Sequence, residues 1–161
     1  MRLIISELED CAYDVRGQLS KQPGDLTPIH TFPGFTEAFE SMKCFRALVT
    51  VGDFREKFRI LHLLGITRCF DYIKICTTEQ QKCVEIGRLS FMLGINEPSE
   101  GLVIGSCLHS EIVYGNAATC TTAHLQVGKY GSRIPTDCLE VPTFTLKSWD
   151  EFPLLQRDLH F

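Results

Sequence analysis

The sequence predicts an α/β fold, a three-layer α/β/α sandwich around a mostly parallel sheet. Two observations carry this expectation. Short apolar runs of strand length alternate with stretches of helical periodicity along the whole chain. The segments between successive strands are long enough to be crossover helices, which parallel neighbours require.

The elements follow in order. "LIIS" at 3–6 reads as a buried strand, after which Glu7, Glu9 and Asp10 crowd the turn "ELED". A Gly- and Pro-rich segment at about 12–34 reads as a loop or flap. Thr36 to Met42 has helical spacing, with Ala38, Phe39 and Met42 on one side, and "FRALVTV" at 45–51 is a continuous apolar strand. "FREKFRILHLLG" predicts a helix from Phe54 that stops at Gly65, with Phe54, Phe58, Leu61 and Leu63 or Leu64 on its buried stripe. "FDYIKIC" at 70–76 alternates as a strand, and a helix runs from Glu79 to Gly94. "GLVIGS" at 101–106 is a strand, "LHSEIVYGN" a helix, "TCTTAHLQV" a strand, "PTFTLK" a short strand and "SWDEFPLL" a closing helix. In such sheets ligands bind beyond the carboxyl ends of the strands, at the topological switch point. The acids after the first strand lie at such an end.

Composition bounds the function. At 161 residues the chain fits one domain, 1–161, and its 44% hydrophobic and 22% charged content is that of a globular protein. The apolar runs are too short to cross a bilayer, and no secretory signal follows the first strand. A net charge of −4 with scattered Lys and Arg argues against a nucleic-acid partner. The eight cysteines form no Cys-x-x-Cys pair and no zinc spacing, so they read as mostly buried thiols in a reducing cytoplasm. The dispersed histidines receive no role.

Four stretches at strand ends, "SELEDC", "ALVTVGDFREKFRILHLLGITRCFD", "EQQKCVEIGRLSFMLGI" and "GLVIGSCLHSEIVYGNAATCT", together resemble the haloacid-dehalogenase-like superfamily. Thr50, Gly52, Leu64-Gly65-Ile66 and Phe70-Asp71 match its phosphatase-like members most specifically, and the resemblance spans essentially the whole chain. It implies a Rossmann-like sandwich and a hydrolase or phosphatase that works with magnesium. On that pattern Glu7 stands at the nucleophile position and Glu9 at the general acid/base position, where the family has aspartates. Thr50 supplies the phosphate-binding hydroxyl beside Gly52, and Lys82 is the motif lysine. Ser106 and Glu111 fall on the metal-holding acids, so the implied metal set is Glu7, Glu9, Ser106 and Glu111. Asp10 replaces a customary glycine and shapes the turn, and Asp53 reads as a helix cap.

These departures matter physically. Glu7 carries one more carbon–carbon bond than an aspartate, about 1.5 Å, and misplacing a reacting group by about 1 Å can cost on the order of a hundredfold in rate. Ser106 removes a charge that magnesium would use, so a weakened magnesium site is expected. Thr50, Lys82 and the backbone N–H groups of Leu8 and Glu9 remain to cradle a phosphate. The resulting expectation is a pseudoenzyme-like domain, catalytically impaired, that acts in protein interaction or in binding a phosphorylated small molecule or protein. The alternatives are a magnesium-dependent phosphohydrolase using Glu7 and Glu9, and a structural scaffold. The connections leave no room for a substantial cap, and a capless site suits a protein partner or a homo-oligomer rather than a membrane or nucleic acid.

Overall fold

A computed structural model of the chain describes residues 1–15 and 29–159. Six strands, β1 (Leu3–Ser6), β2 (Phe45–Val51), β3 (Tyr72–Cys76), β4 (Gly101–Gly105), β5 (Thr121–Leu125) and β6 (Phe144–Leu146), form one sheet in the order β3-β2-β1-β4-β5-β6. Every pairing is parallel, so the sheet is more uniform than the mostly parallel one expected from sequence. β1 lies at the centre, Leu3 opposite Phe45 on one side and Gly101 on the other. Its burial on both faces explains why "LIIS" is apolar at every position but the last.

Successive side chains of each strand enter opposite layers. Ile4, Leu48, Leu102 and Ile104 face one core, filled by Phe35, Phe39, Ile60, Leu61, Trp149 and Phe152. These come from helices α1 (Phe35–Glu40), α2 (Phe54–Leu64) and α5 (Phe152–Asp158) and from the 3₁₀ turn Trp149–Glu151 before α5. Leu3, Ile5, Ala47, Val49 and Val103 face the other core with Ile86 and Leu89 of α3 (Glu79–Met92). Tyr114 of α4 (Val113–Ala117) closes that layer. Trp149 is the keystone of the first core: its ring meets Phe35 edge-on at 5.1 Å, and its Nε1–H donates to the Cys11 carbonyl at 2.8 Å.

Element positions match the sequence reading closely, but one buried face does not. α2 begins at Phe54, capped by Asp53, whose carboxylate accepts from Glu56 N–H at 3.0 Å, and its C-cap is Gly65. The expected stripe is right only at Leu61, which is fully buried, and Leu64, which packs on the core, because Phe54 is 64% exposed, Phe58 51% and Leu63 41%. The helix instead buries Lys57, Ile60 and Leu61. The spacing i, i+3, i+4 is satisfied equally well from Lys57, whose aliphatic stem packs like an apolar residue while its ammonium reaches a carboxylate. Phe54 and Phe58 stack on each other outside, ring centroids 5.8 Å apart.

Two helices are built differently from their expected form. α1 is shorter than the expected 36–42 span, and Met42 is buried just beyond it. The expected helix from Leu108 opens as a π turn, Leu108–Ile112, before α4 begins. No cap domain interrupts the described residues: β3 and α3 are joined by Thr77 and Thr78 alone. The expected flap at about 12–34 falls largely on residues 16–28, outside the described residues.

Candidate functional site

The carboxyl ends of β1, β2 and β4 converge beside the switch point, where the chain leaves β1 for β2 and later returns on the other side as β4. Three residues from separate elements meet there. Lys82 of α3 projects between Glu7, just after β1, and Glu111 of the π turn, and its ammonium is ion-paired to both. All three are buried, Lys82 to 3% exposure. The remaining carboxylate oxygens are also held: Glu7 Oε1 accepts from Leu8 N–H at 2.9 Å, and Glu111 Oε2 from Cys107 N–H at 2.9 Å.

The space for this cluster comes from a missing side chain. A Cβ on Gly105, the last residue of β4, would occupy the volume of the Glu111 side chain. Gly52 does the same for Lys57: at φ +152° it leaves the gap through which the lysine stem passes. Lys57 then pairs with Glu9, which also accepts from the Tyr13 hydroxyl at 3.5 Å. Glu9 is therefore drawn to a different cation from Glu7.

Asp10 braces the turn at φ +52°. One of its carboxylate oxygens accepts from Val15 N–H at 3.2 Å, the other from Lys129 N–H at 3.0 Å. Above the ion cluster lies a cleft of about 360 Å³ whose wall includes Glu9, Glu79, Cys107, Lys129 and Tyr130. Ser110 closes part of it by donating to Glu79 Oε2 at 2.8 Å. Thr50 Oγ1 is fully buried under the site, next to the Glu7 carboxyl, with no partner in hydrogen-bond geometry among the described residues. His124 of β5 is buried, and burial lowers its pKa, so the neutral ring donates Nε2–H to the Ser106 carbonyl at 3.1 Å.

The electrostatics follow from one cation serving two buried carboxylates. Burial pushes the Glu7 carboxyl above its ordinary value, against the pull of Lys82 and with the help of Glu111. Burial alone would lower Lys82; the Glu111 and Glu7 carboxylates override it and hold the ammonium well above its usual range. Lys82 is thus a fixed cation and not a nucleophile or base at neutral pH.

Solved structures align with the chain over nearly its full length. An L-2-haloacid dehalogenase from Xanthobacter autotrophicus superposes with a TM-score of 0.70 at 12% identity, covering 98% of this chain and 99% of that one. A predicted phosphoglycolate phosphatase from Haemophilus somnus gives 0.73 at 14% identity, covering 97% and 98%. A magnesium-bound Bacillus subtilis protein described as a HAD-hydrolase gives 0.72 at 12% identity, covering 99% of both chains. The chain has the haloacid-dehalogenase-like fold. No family model matches the sequence, and no curated protein matches it.

The HAD-like fold implies magnesium, and the donor set does not fit it. The set expected from sequence, Glu7, Glu9, Ser106 and Glu111, does not converge on one metal position. The described residues hold no group of three or more His, Cys, Asp or Glu placed to bind a metal. Glu7 and Glu111 turn all four oxygens to protein donors, and the Lys82 ammonium stands between them, where a second cation would be repelled. The phosphate cradle is altered too. Leu8 N–H, expected to face a phosphate, is taken by Glu7 Oε1.

Among the residues expected from sequence, Glu7, Lys82 and Glu111 assemble. Thr50 lies below them, Glu9 and Gly52 belong to the Lys57 pair, and Ser106 is buried with its carbonyl bound to His124. Sequence reasoning missed Lys57, Glu79, Lys129 and Tyr130. A signal for Lys57 existed in the alternative stripe of α2. Lys129 and Tyr130 carry no local motif, because the β5–β6 connection reaches the site only through tertiary folding.

Proposed function

We propose that this HAD-fold domain has given up phosphoryl-transfer chemistry and binds a phosphorylated ligand. The observation that carries this reading is the Lys82 bridge between Glu7 and Glu111. A carboxylate nucleophile must present a free oxygen in line with its target at near-contact distance. Glu7 spends one oxygen on its own turn and the other on an ammonium, so neither is free to attack. Glu9, as acid or base, is neutralised by Lys57. The chain's own residues hold the site shut electrostatically and leave the outer cleft for binding.

A reducing, cytoplasmic setting is part of the proposal and is supported by eight cysteines that are all unpaired. No helix among the described residues is long and apolar enough to cross a membrane.

One observation favours the second reading, a magnesium-dependent phosphohydrolase: the orphaned Thr50 hydroxyl is the kind of group that a phosphate oxygen would satisfy. Hydrolysis of an aryl phosphate, measured with and without magnesium for the native chain and Glu7→Gln, separates the two. The expected result is no turnover above the uncatalysed rate in any arm. Magnesium-dependent turnover that Glu7→Gln abolishes would sink the impaired reading and establish Glu7 as the nucleophile.

A further inference from the structure

The lining of the cleft carries both signs of charge. Glu7 and Glu111 share the Lys82 cation, Glu9 is matched by Lys57, and Asp10 and Glu79 add two more acids. A phosphate directed at these acids meets a net excess of negative charge. On the side of the wall formed by Lys129 and Tyr130, the Lys129 Nζ lies 4.7 Å and the guanidinium carbon of Arg133, which stands outside the cleft lining, 4.8 Å from the Tyr130 ring centroid. Neither makes a salt bridge among the described residues, and both are exposed.

The position of this wall is fixed by the site turn. Asp10 takes Lys129 N–H, a Cβ on Gly128 would collide with the Asp10 side chain, and Arg133 N–H donates to the Tyr130 carbonyl at 3.0 Å. The ring in turn orients the two cations, since a cation over an aromatic face is held there by the ring quadrupole.

We infer that Lys129, Tyr130 and Arg133 form a phosphate-binding lip, which takes the anionic group of the ligand at the mouth of the cleft instead of at the inherited Thr50–Lys82 position. The inference deepens the binding role proposed above and rests on it. Two exposed cations beside one ring, neither in a salt bridge among the described residues, each offer a charge-assisted hydrogen bond to a phosphate at the mouth of the cleft. The rest of the ligand then extends into the cleft beside Glu79 and Cys107. Because the lip is exposed, its affinity should fall as salt rises.

Titration of the isotope-labelled full chain with inorganic phosphate, followed by amide chemical shifts, tests this, with acetate at matched ionic strength as a second arm. The expected result is saturable movement confined to the signals of 127–133 with phosphate and weaker movement with acetate. In Lys129→Gln/Arg133→Gln, phosphate affinity should drop roughly tenfold or more. Saturable shifts at Thr50 and Lys82 would overturn the lip while leaving phosphate binding by this domain intact. No saturable shift, equal responses to phosphate and acetate, or a double variant that binds unchanged would each also overturn it. Turnover of an aryl phosphate, by contrast, bears on the impaired reading and not on the lip.

Discussion

Glu7 and Glu111 each reach Lys82 because each side chain is one methylene longer than the aspartate its position resembles, and the fold has let the extra length point inward. An ammonium held this way compensates two buried carboxylates that would otherwise face each other. Lys82→Met should therefore cost about 3–5 kcal/mol, the range for stripping one partner from a buried ion cluster, read as a lower urea midpoint with unchanged slope. Glu7 adds a pH dependence. Its pKa is raised above the ordinary 4.5, so the folded chain holds that proton more tightly than the unfolded one. Its stabilising contribution is complete below pH 4.5 and is lost as pH climbs through the raised value. Glu7→Gln removes the titration, so the native chain should lose ground to this variant in melting temperature as pH rises from 4 to 8. The opposite trend would mean that Lys82 holds Glu7 in its charged form. At this scale the sequence named Glu7, Lys82 and Glu111 through their resemblance to the family's motifs, but not their mutual ion pairing, because side-chain length translates into contact only once the backbone positions are known.

The elements show where periodicity informs and where it misleads. Strand positions and the ends of α2 were legible since apolar runs, the Asp53 cap and Gly65 act locally. The buried face of α2 was not, because two stripes fit the same helix and a lysine stem won over two phenylalanines. The π turn at Leu108–Ile112 was also invisible, since it has no local sequence signal and carries Glu111 into the gap above Gly105 only in the folded chain. Gly105→Ala tests that dependence. The new methyl group and the Glu111 side chain claim one volume, so the variant should lose about 1–3 kcal/mol, the usual cost of overpacking. Adding Glu111→Gly to Gly105→Ala should recover less than the steric part, as Lys82 would then lose a carboxylate. A neutral Gly105→Ala would show that Glu111 does not rely on this passage.

For the molecule as a whole, the alternation of strands and helices was enough to read the layered architecture, while strand order was not derivable from composition or periodicity. That order places the candidate site, since at the β1–β4 boundary the carboxyl ends of strands from both halves of the sheet open onto one cleft. It has a further consequence in time. β1 is the first strand in sequence and the central strand in space, flanked by β2 on one side and by β4, from far along the chain, on the other. None of the strand pairings in this all-parallel sheet is a local hairpin, so loop closure precedes every one of them. Refolding followed by fluorescence of Trp149, the single tryptophan, should therefore take milliseconds to seconds or longer, and a microsecond recovery of the native signal would contradict this. During that interval the nascent sheet keeps one flank of its buried central strand unpaired, so aggregation during folding competes with reaching the native state.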